Sequence, residues 1–516
     1  MIDRLADGAD WDVVVIGGGA TGLGSAIDAS SRGYRTLLLE AGDFARGTSS
    51  RSTKLVHGGV RYLQQGNVSL VLEALRERGL LRDNAPHLVH DLPFIVPNYD
   101  WWEAPFYGVG LRVYDMLAGK LGFGSSRNLT KEETLAQLPT IETKGLRGGV
   151  IYHDGQFDDA RLAIDMAQTA ARHGATVINY VKVAALTKSS TGTLQGVVAR
   201  DEESGREYNI AARVIVNATG AFTDGVRKLD EPDARPLIRP SQGVHIVIDR
   251  AFLPGDSAIM VPHTDDGRVL FAIPWHDRVV VGTTDTPIDD ASYEPVPFAE
   301  EISFLVEHTG RYLTRDPSRD DVLSVFAGIR PLVSSDGGGD TAAISRDHTL
   351  HVSRSGLVTI AGGKWTTYRK MAEDTIDLAA TVGGLDARES ITKTLRLHGY
   401  HQNAAQFGRL AHYGADAPLL RDLLREVPAL DDRLTPASEV VAGEVVWSVR
   451  NEMARTVEDF LSRRTRSLLL SAKTATRMAP AVATLMAKEL GRDNEWVTEQ
   501  IREFERLARG YLCPTS

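Results

Sequence analysis

Gly17, Gly19 and Gly22 are spaced G-x-G-x-x-G and follow the short apolar run Asp12-Val13-Val14-Val15-Ile16. The first glycine permits a tight turn, the second lets backbone approach a pyrophosphate, and the third lets a helix and a strand pack closely. A helix opening at this point directs unpaired N–H groups and the positive end of its dipole toward phosphate. Glu40 ends a second apolar run, 18 residues beyond Gly22. A carboxylate at that offset accepts hydrogen bonds from the adenosine ribose hydroxyls. The implied chemistry is dinucleotide binding. An unrelated glycine-rich turn would leave the position of Glu40 unexplained.

Two more glycine turns end apolar runs. Arg213-Val-Ile-Val-Asn217 leads into Ala218-Thr219-Gly220, and Leu357-Val-Thr-Ile-Ala361 leads into Gly362-Gly363-Lys364. Three turns at three strand ends suit a long ligand lying across a sheet, which favours FAD over NAD. Each turn alone is only a turn.

These residues require a βαβ unit: a strand over 12–16, a helix from about Thr21 to Arg32 capped by Gly33, and a strand over 35–40. Between about 236 and 325 the pattern changes to short alternating strands such as 243–248 and 278–281. Beyond about 390, apolar residues recur at helical spacing: Val445, Val449, Met453, Val457 and Phe460, then Val497, Ile501, Phe504, Leu507 and Tyr511. The expected class is α/β: a Rossmann-type FAD-binding domain with an inserted β-rich substrate domain and a C-terminal α-helical domain. The boundaries read as 1–85, 150–235 and 326–388 for the discontinuous FAD domain, 86–149 and 236–325 for the substrate domain, and 389–516 for the helices.

Composition narrows the function. Of 516 residues, 42% are apolar and 24% charged, an ordinary globular balance. The net charge of −10 argues against non-specific nucleic-acid binding but permits a local arginine cluster to hold a small anion. The lone Cys513 excludes an internal disulfide, a thiolate metal cage and a redox dithiol, and fits a reducing cytoplasmic compartment. No metal-ligand pattern is read. The first eleven residues do not read as a signal peptide, and no uncharged run reads as a membrane span.

The string from Gly47 to Leu63, GTSSRSTKLVHGGVRYL, resembles the flavin-contacting loop of the FAD-dependent glycerol-3-phosphate dehydrogenases. Ile16 to Gly33 and Gly362 to Ala372 resemble the two signatures of that family, with Leu23 standing where a small residue is usual. Further landmarks fall in order at 327–331, 344–347, 451–456 and 463–465. The resemblance implies non-covalent FAD held by Gly17, Gly19, Thr21, Gly22, Glu40, Thr48, Ser49, Ser50, Lys54, Leu55, His57, Gly58, Gly59, Val183, Ala218, Gly220, Gly362, Gly363 and Thr366. It implies a phosphate clamp of Arg61, Tyr62, Arg346 and Lys364, with Arg330 beside the reacting C2 oxygen. Guanidinium forks match phosphate oxygens, and a fixed charge beside C2 would stabilise a developing alkoxide. His245 becomes the candidate base, because imidazole titrates nearest neutrality. A histidine on an alternating strand has a purely structural reading as well, and Lys364 joins His245 and Arg330 as a catalytic candidate.

The implied reaction is oxidation of sn-glycerol 3-phosphate to dihydroxyacetone phosphate, with electrons passed to a membrane quinone. Alternatives are an oxidase using oxygen, and a catalytically silent flavin-binding partner protein. Residues 99–114 hold six aromatics, Tyr99, Trp101, Trp102, Phe106, Tyr107 and Tyr114, against 7% in the whole chain. They read equally as a membrane-interface segment and as a packed segment. The expected location is cytoplasmic and peripheral on the inner face of the plasma membrane, with a homodimer compatible.

Overall fold

A computed structural model describes residues 1–5, 10–59, 67–100, 103–119, 122–262, 264, 267–334 and 348–514, and only the backbone of 104–106. Arg61, Tyr62, Arg346, Trp101, Trp102 and the side chain of Phe106 lie outside the described residues.

Strand Trp11–Ile16 is central to the first sheet, and Val13, Val14 and Val15 are all fully buried. β-branched side chains favour extended backbone, and burial on both faces accounts for the unbroken apolar run. The strand pairs in parallel with Thr36–Leu39, which pairs with Thr176–Ile178, and on its other side with Glu207–Asn217, which pairs with Leu357–Gly362. His348–Val352 adds an antiparallel edge. Helix Ala20–Ser31 follows the first strand, and Gly33 leaves it at φ +83°. Helices Asp159–Arg172 and Tyr368–Val382 pack beside it. This is the Rossmann-type layer expected.

In the second sheet, Ile238–Asp249 pairs antiparallel with Val322–Val333 and with Arg278–Gly282. Leu270–Trp275, Ala258–Val261, Val89–Asn98 and Gly148–Phe157 continue it. Gly148–Phe157 runs through the boundary expected at 149/150, and Val322–Val333 through that at 325/326.

The C-terminal part is helical, with Ala442–Asn451, Ala472–Leu490 and Asn494–Arg509 as its longer elements. The periodic residues 445–460 do not form one helix. The chain leaves the helix at Glu452, whose carboxylate pairs with Arg161 at 2.8 Å, and Met453 takes φ +56°. A π-helical turn, Asp459–Arg464, then carries Phe460 into the core. Burying a charge pair outweighs continuation of the periodic pattern.

Of the aromatic segment, Tyr107 and Tyr114 are buried, and Tyr99 packs edge-on to Tyr312. The Tyr114 hydroxyl donates to Asp154 at 2.8 Å. These three follow the packed reading.

Buried ion pairs join the parts. Asp43, fully buried, accepts from Arg463 and Arg464 at 2.5 Å each. Arg463 also reaches Glu458 and Asp459, both at 2.8 Å. Burial disfavours the Asp43 carboxylate, but Arg464 and Arg463 outweigh it and hold the group at about 2. Its stabilisation is therefore complete above the ordinary value of 3.8 and is lost as pH falls toward 2. Asp43→Ala removes the carboxylate that two buried guanidiniums share and should cost about 3–5 kcal/mol. The check is the urea unfolding midpoint at neutral pH; an unchanged midpoint would mean that this junction carries no stability.

Candidate active site

The cofactor channel is a cavity of about 650 Å³ above the C-terminal ends of the parallel strands. Its floor is the turn from Gly17 to Thr21. Gly17 has φ +108°, and a Cβ on Gly22 would lie 1.9 Å from the Gly17 carbonyl oxygen, so helix and turn meet backbone to backbone. The Ala20 N–H, first of the helix, donates to Ser49 Oγ at 3.0 Å, which ties the 47–57 loop to the helix start. Glu40 accepts from the Gly18 and Gly42 N–H groups at 2.6 and 2.8 Å, and burial raises its carboxyl. Each of its oxygens keeps a further lone pair for a ribose hydroxyl. Val183, Ala218, Gly220, Gly362 and Gly363 form further walls. Across the mouth, Tyr293 stacks on Phe222 at 4.2 Å, with the Arg46 guanidinium 5.5 Å from the Tyr293 ring.

A second cavity, of about 210 Å³, shares Thr48, Pro331, Gly362, Gly363, Lys364 and Trp365 with the first. It brings together His245, Arg330 and Lys364, three residues far apart in the chain, with Arg51, His57 and Thr53. No carboxylate is among its described lining residues. Arg330 is held by Asp285 at 3.1 Å and donates to Thr283 Oγ1 at 3.2 Å. Gly243 makes room for it, since a Cβ there would lie 2.6 Å from Arg330 Nη2. His245 stacks on Phe326 at 4.8 Å, and its Nε2 lies 3.0 Å from Thr53 Oγ1. Gly282, opposite it on the neighbouring strand, has no Cβ; one would lie 2.2 Å from the imidazole. Burial, then Lys54 and Arg330, push the His245 imidazole well below its usual value.

The expected cofactor residues divide by position. Gly17, Gly19, Thr21, Glu40, Thr48, Ser49, Val183, Ala218, Gly220, Gly362 and Gly363 line the channel, while Leu55, His57 and Thr366 line the smaller cavity. Gly22, Ser50, Lys54, Gly58 and Gly59 line neither. The Lys54 ammonium is fully buried on Asp159 at 2.7 Å and on the Ser50 carbonyl at 2.8 Å. Thr53 and Arg51 were not singled out from sequence, although both lie inside the loop string. Their residue types carry no signal beyond that position. Phe222 and Tyr293 carried none.

The family described as FAD dependent oxidoreductase matches residues 12–369, and the C-terminal domain of alpha-glycerophosphate oxidase matches residues 356–497. The mitochondrial glycerol-3-phosphate dehydrogenase of Homo sapiens is 41% identical, over 98% of this chain and 75% of its own. The chain belongs to the FAD-dependent glycerol-3-phosphate dehydrogenase family. The mitochondrial relative from Schizosaccharomyces pombe is 36% identical over 99% of this chain and 88% of its own. The glycerol-3-phosphate dehydrogenase from Bacillus halodurans, solved with FAD, has a TM-score of 0.81 at 30% identity, covering 100% of this chain and 97% of that one. The L-alpha-glycerophosphate oxidase of Mycoplasma pneumoniae, at 17% identity and TM-score 0.58, shares the fold over 74% of this chain and 96% of its own.

The residues of the channel fit the family's cofactor: a glycine cradle that a Cβ would fill, a helix N-terminus for the pyrophosphate and a carboxylate at the ribose end. The Gly22→Ala variant should purify with little or no FAD, because its methyl group would displace the Gly17 turn. The ratio of flavin to protein, read by absorbance, checks this; a fully loaded variant would show that the cradle tolerates the shift.

Proposed function

We propose that the chain oxidises sn-glycerol 3-phosphate at C2 to dihydroxyacetone phosphate with non-covalent FAD. The observation that carries the reading is the small cavity, which opens on the channel and joins three cations and two histidines with no described carboxylate. Such a lining attracts an anion and repels none of its charge.

FAD, when bound, supplies the acceptor for the C2 hydride. Lys364 presents charge to the phosphate, joined by Arg61, Tyr62 and Arg346 on the strength of the family resemblance, while the Arg51 guanidinium is held by Glu294 at 2.6 Å. Arg330, fixed by Asp285 and Thr283, stands ready for the negative charge that grows on the C2 oxygen. His245 takes the hydroxyl proton at Nε2, the ring nitrogen that Thr53 Oγ1 approaches at 3.0 Å and so helps to orient. As C2 loses its hydrogen with the electron pair, the oxygen loses only a proton and closes the C=O bond. The phosphate lowers the cost of charging His245, because it brings negative charge into a cationic cavity.

The electron acceptor in this reading is a membrane quinone, reached by peripheral contact. Support comes from the helices Val68–Asn84 and Glu103–Ala118, which expose Val68, Leu72, Val109 and Met116. Among the described residues, no helix is long and apolar enough to cross a membrane. An acceptor assay with a soluble quinone and with oxygen separates the dehydrogenase from an oxidase.

Glycerol 3-phosphate should bleach the flavin anaerobically far better than glycerol does. Removing one partner of a desolvated charge pair costs about 2–5 kcal/mol, so Lys364→Ala should raise the substrate requirement by on the order of 30-fold or more. Equal bleaching by glycerol and by its phosphate would refute the anion site.

His245→Ala should slow single-turnover flavin reduction roughly 10²–10⁴-fold. His245 accepts a proton only when neutral, so the wild-type rate falls as pH drops through its pKa. For kcat/KM that limb should lie below the ordinary 6.5, given the lowered imidazole. A His245→Ala enzyme reduced at the wild-type rate with the limb intact would remove this residue from the mechanism.

A further inference from the structure

Behind the small cavity, and lining neither cavity, lies a buried charge cluster that the reaction as described does not use. Lys54 is fully buried and has φ +65°. Its ammonium donates to Asp159 Oδ2 at 2.7 Å and to the Ser50 carbonyl at 2.8 Å. Asp159 Oδ2 also accepts from the Ser52 N–H at 3.0 Å and from Ser52 Oγ at 2.7 Å. Its other oxygen accepts from Arg466 at 2.9 Å, and Arg466 donates to the Ser50 carbonyl at 2.6 Å. Ser52 and Lys54 are thus both anchored on Asp159. Thr53, between them, is the residue that meets His245 Nε2 at 3.0 Å.

A second link runs through an aromatic ring. Phe326 faces His245 across the strand pair, and the imidazole stacks on it with an interplanar angle of 10°. The Lys54 ammonium stands over the same Phe326 ring, 5.2 Å from its centroid, and 5.3 Å from that of Trp275. The cation and the imidazole thus both pack on one buried ring, in apolar surroundings. Such a medium screens poorly.

We propose that Lys54 is a positioning residue for the oxidation: it fixes the loop that presents Thr53 to His245 and holds the imidazole in its uncharged, proton-accepting state. This rests on the reading of His245 as the base. The charged and titratable groups facing His245 are Arg330 from its partner strand, Arg51, Lys54 and His57 from the loop, and Lys364 from the far wall. The counter-ions of Arg330 and Lys54, Asp285 and Asp159, lie outside the cavity lining. Among the cations, Lys54 differs in position: it stands outside the substrate cavity, where an arriving phosphate does not meet it directly. Burial pushes its ammonium down to about 7, partly countered by Asp159. It therefore carries its charge in the acidic range, where His245 would otherwise protonate.

The test is the pH dependence of anaerobic flavin reduction by glycerol 3-phosphate, measured on FAD-loaded enzyme in single turnovers. Lys54→Met removes the charge, so His245 should bind its proton more readily and the acidic limb should move to higher pH by about one unit. Lys54→Arg keeps the charge and should leave the limb in place while lowering the maximal rate through the displaced loop. If the methionine variant fails to fold, Lys54→Gln takes its place, since its amide can still donate to the Ser50 carbonyl. A merely structural lysine would lower rates without moving the limb, and that outcome, in a folded and FAD-loaded variant, overturns the proposal. His245→Ala is run beside it. A limb that survives in His245→Ala refutes the base itself, whereas a limb lost there but unmoved in Lys54→Met refutes only the role of Lys54.

Discussion

Two buried carboxylates, Asp43 and Asp159, carry the geometry on which the other parts depend. An ammonium or guanidinium removed from water costs several kcal/mol unless a carboxylate and further acceptors surround it. Asp43 gathers Arg463 and Arg464, and Asp159 gathers Lys54 and Arg466. The cations of the C-terminal part therefore have low-energy positions only when the first sheet and the 47–57 loop are in place. Hydrophobic packing is tolerant of small slips, while a two-oxygen, two-cation junction is not. The loop that meets both cavities is held by the second kind of contact.

The same economy of charge shapes the small cavity. Its described lining holds cations and no carboxylate, while Asp285 and Glu294, the counter-ions of Arg330 and Arg51, stand one layer back. Carboxylates so placed fix the lining cations without entering the cavity themselves. The price is a histidine with a poor affinity for protons until an anion arrives. In the proposed reaction this would couple substrate binding to base strength through charge.

Much of the cofactor channel was legible in sequence because it is built locally. Gly17, Gly19, Gly22 and Glu40 all belong to one strand–helix–strand unit, and the turns at Ala218 and Gly362 each follow their own apolar strand. The small cavity was legible only through family resemblance, since His245, Arg330 and Lys364 come from separate strands and a turn. What could not be read is what depends on distant partners. Arg463 and Arg464 read only as part of a family landmark, and their partner Asp43 lies 420 residues from Arg463. Gly243 and Gly282 look like strand glycines, whereas their missing Cβ atoms leave space for a guanidinium and an imidazole. The 445–460 periodicity overran its helix because a buried pair, Glu452 with Arg161, redirected the chain.

The channel takes its walls from residues as far apart in the chain as Ile16 and Met371. Its central strand pairs with Thr36–Leu39, which is made soon after it, and with Glu207–Asn217, which is made long after. Non-local pairing of this kind is slow to form. A growing polypeptide on the ribosome would thus display the glycine cradle early, with no opposite wall to close it. Flavin can be retained only once the Gly362 turn has emerged, and loading becomes a late event of biosynthesis. Until then the unpaired edges of the sheet stand open to wrong partners.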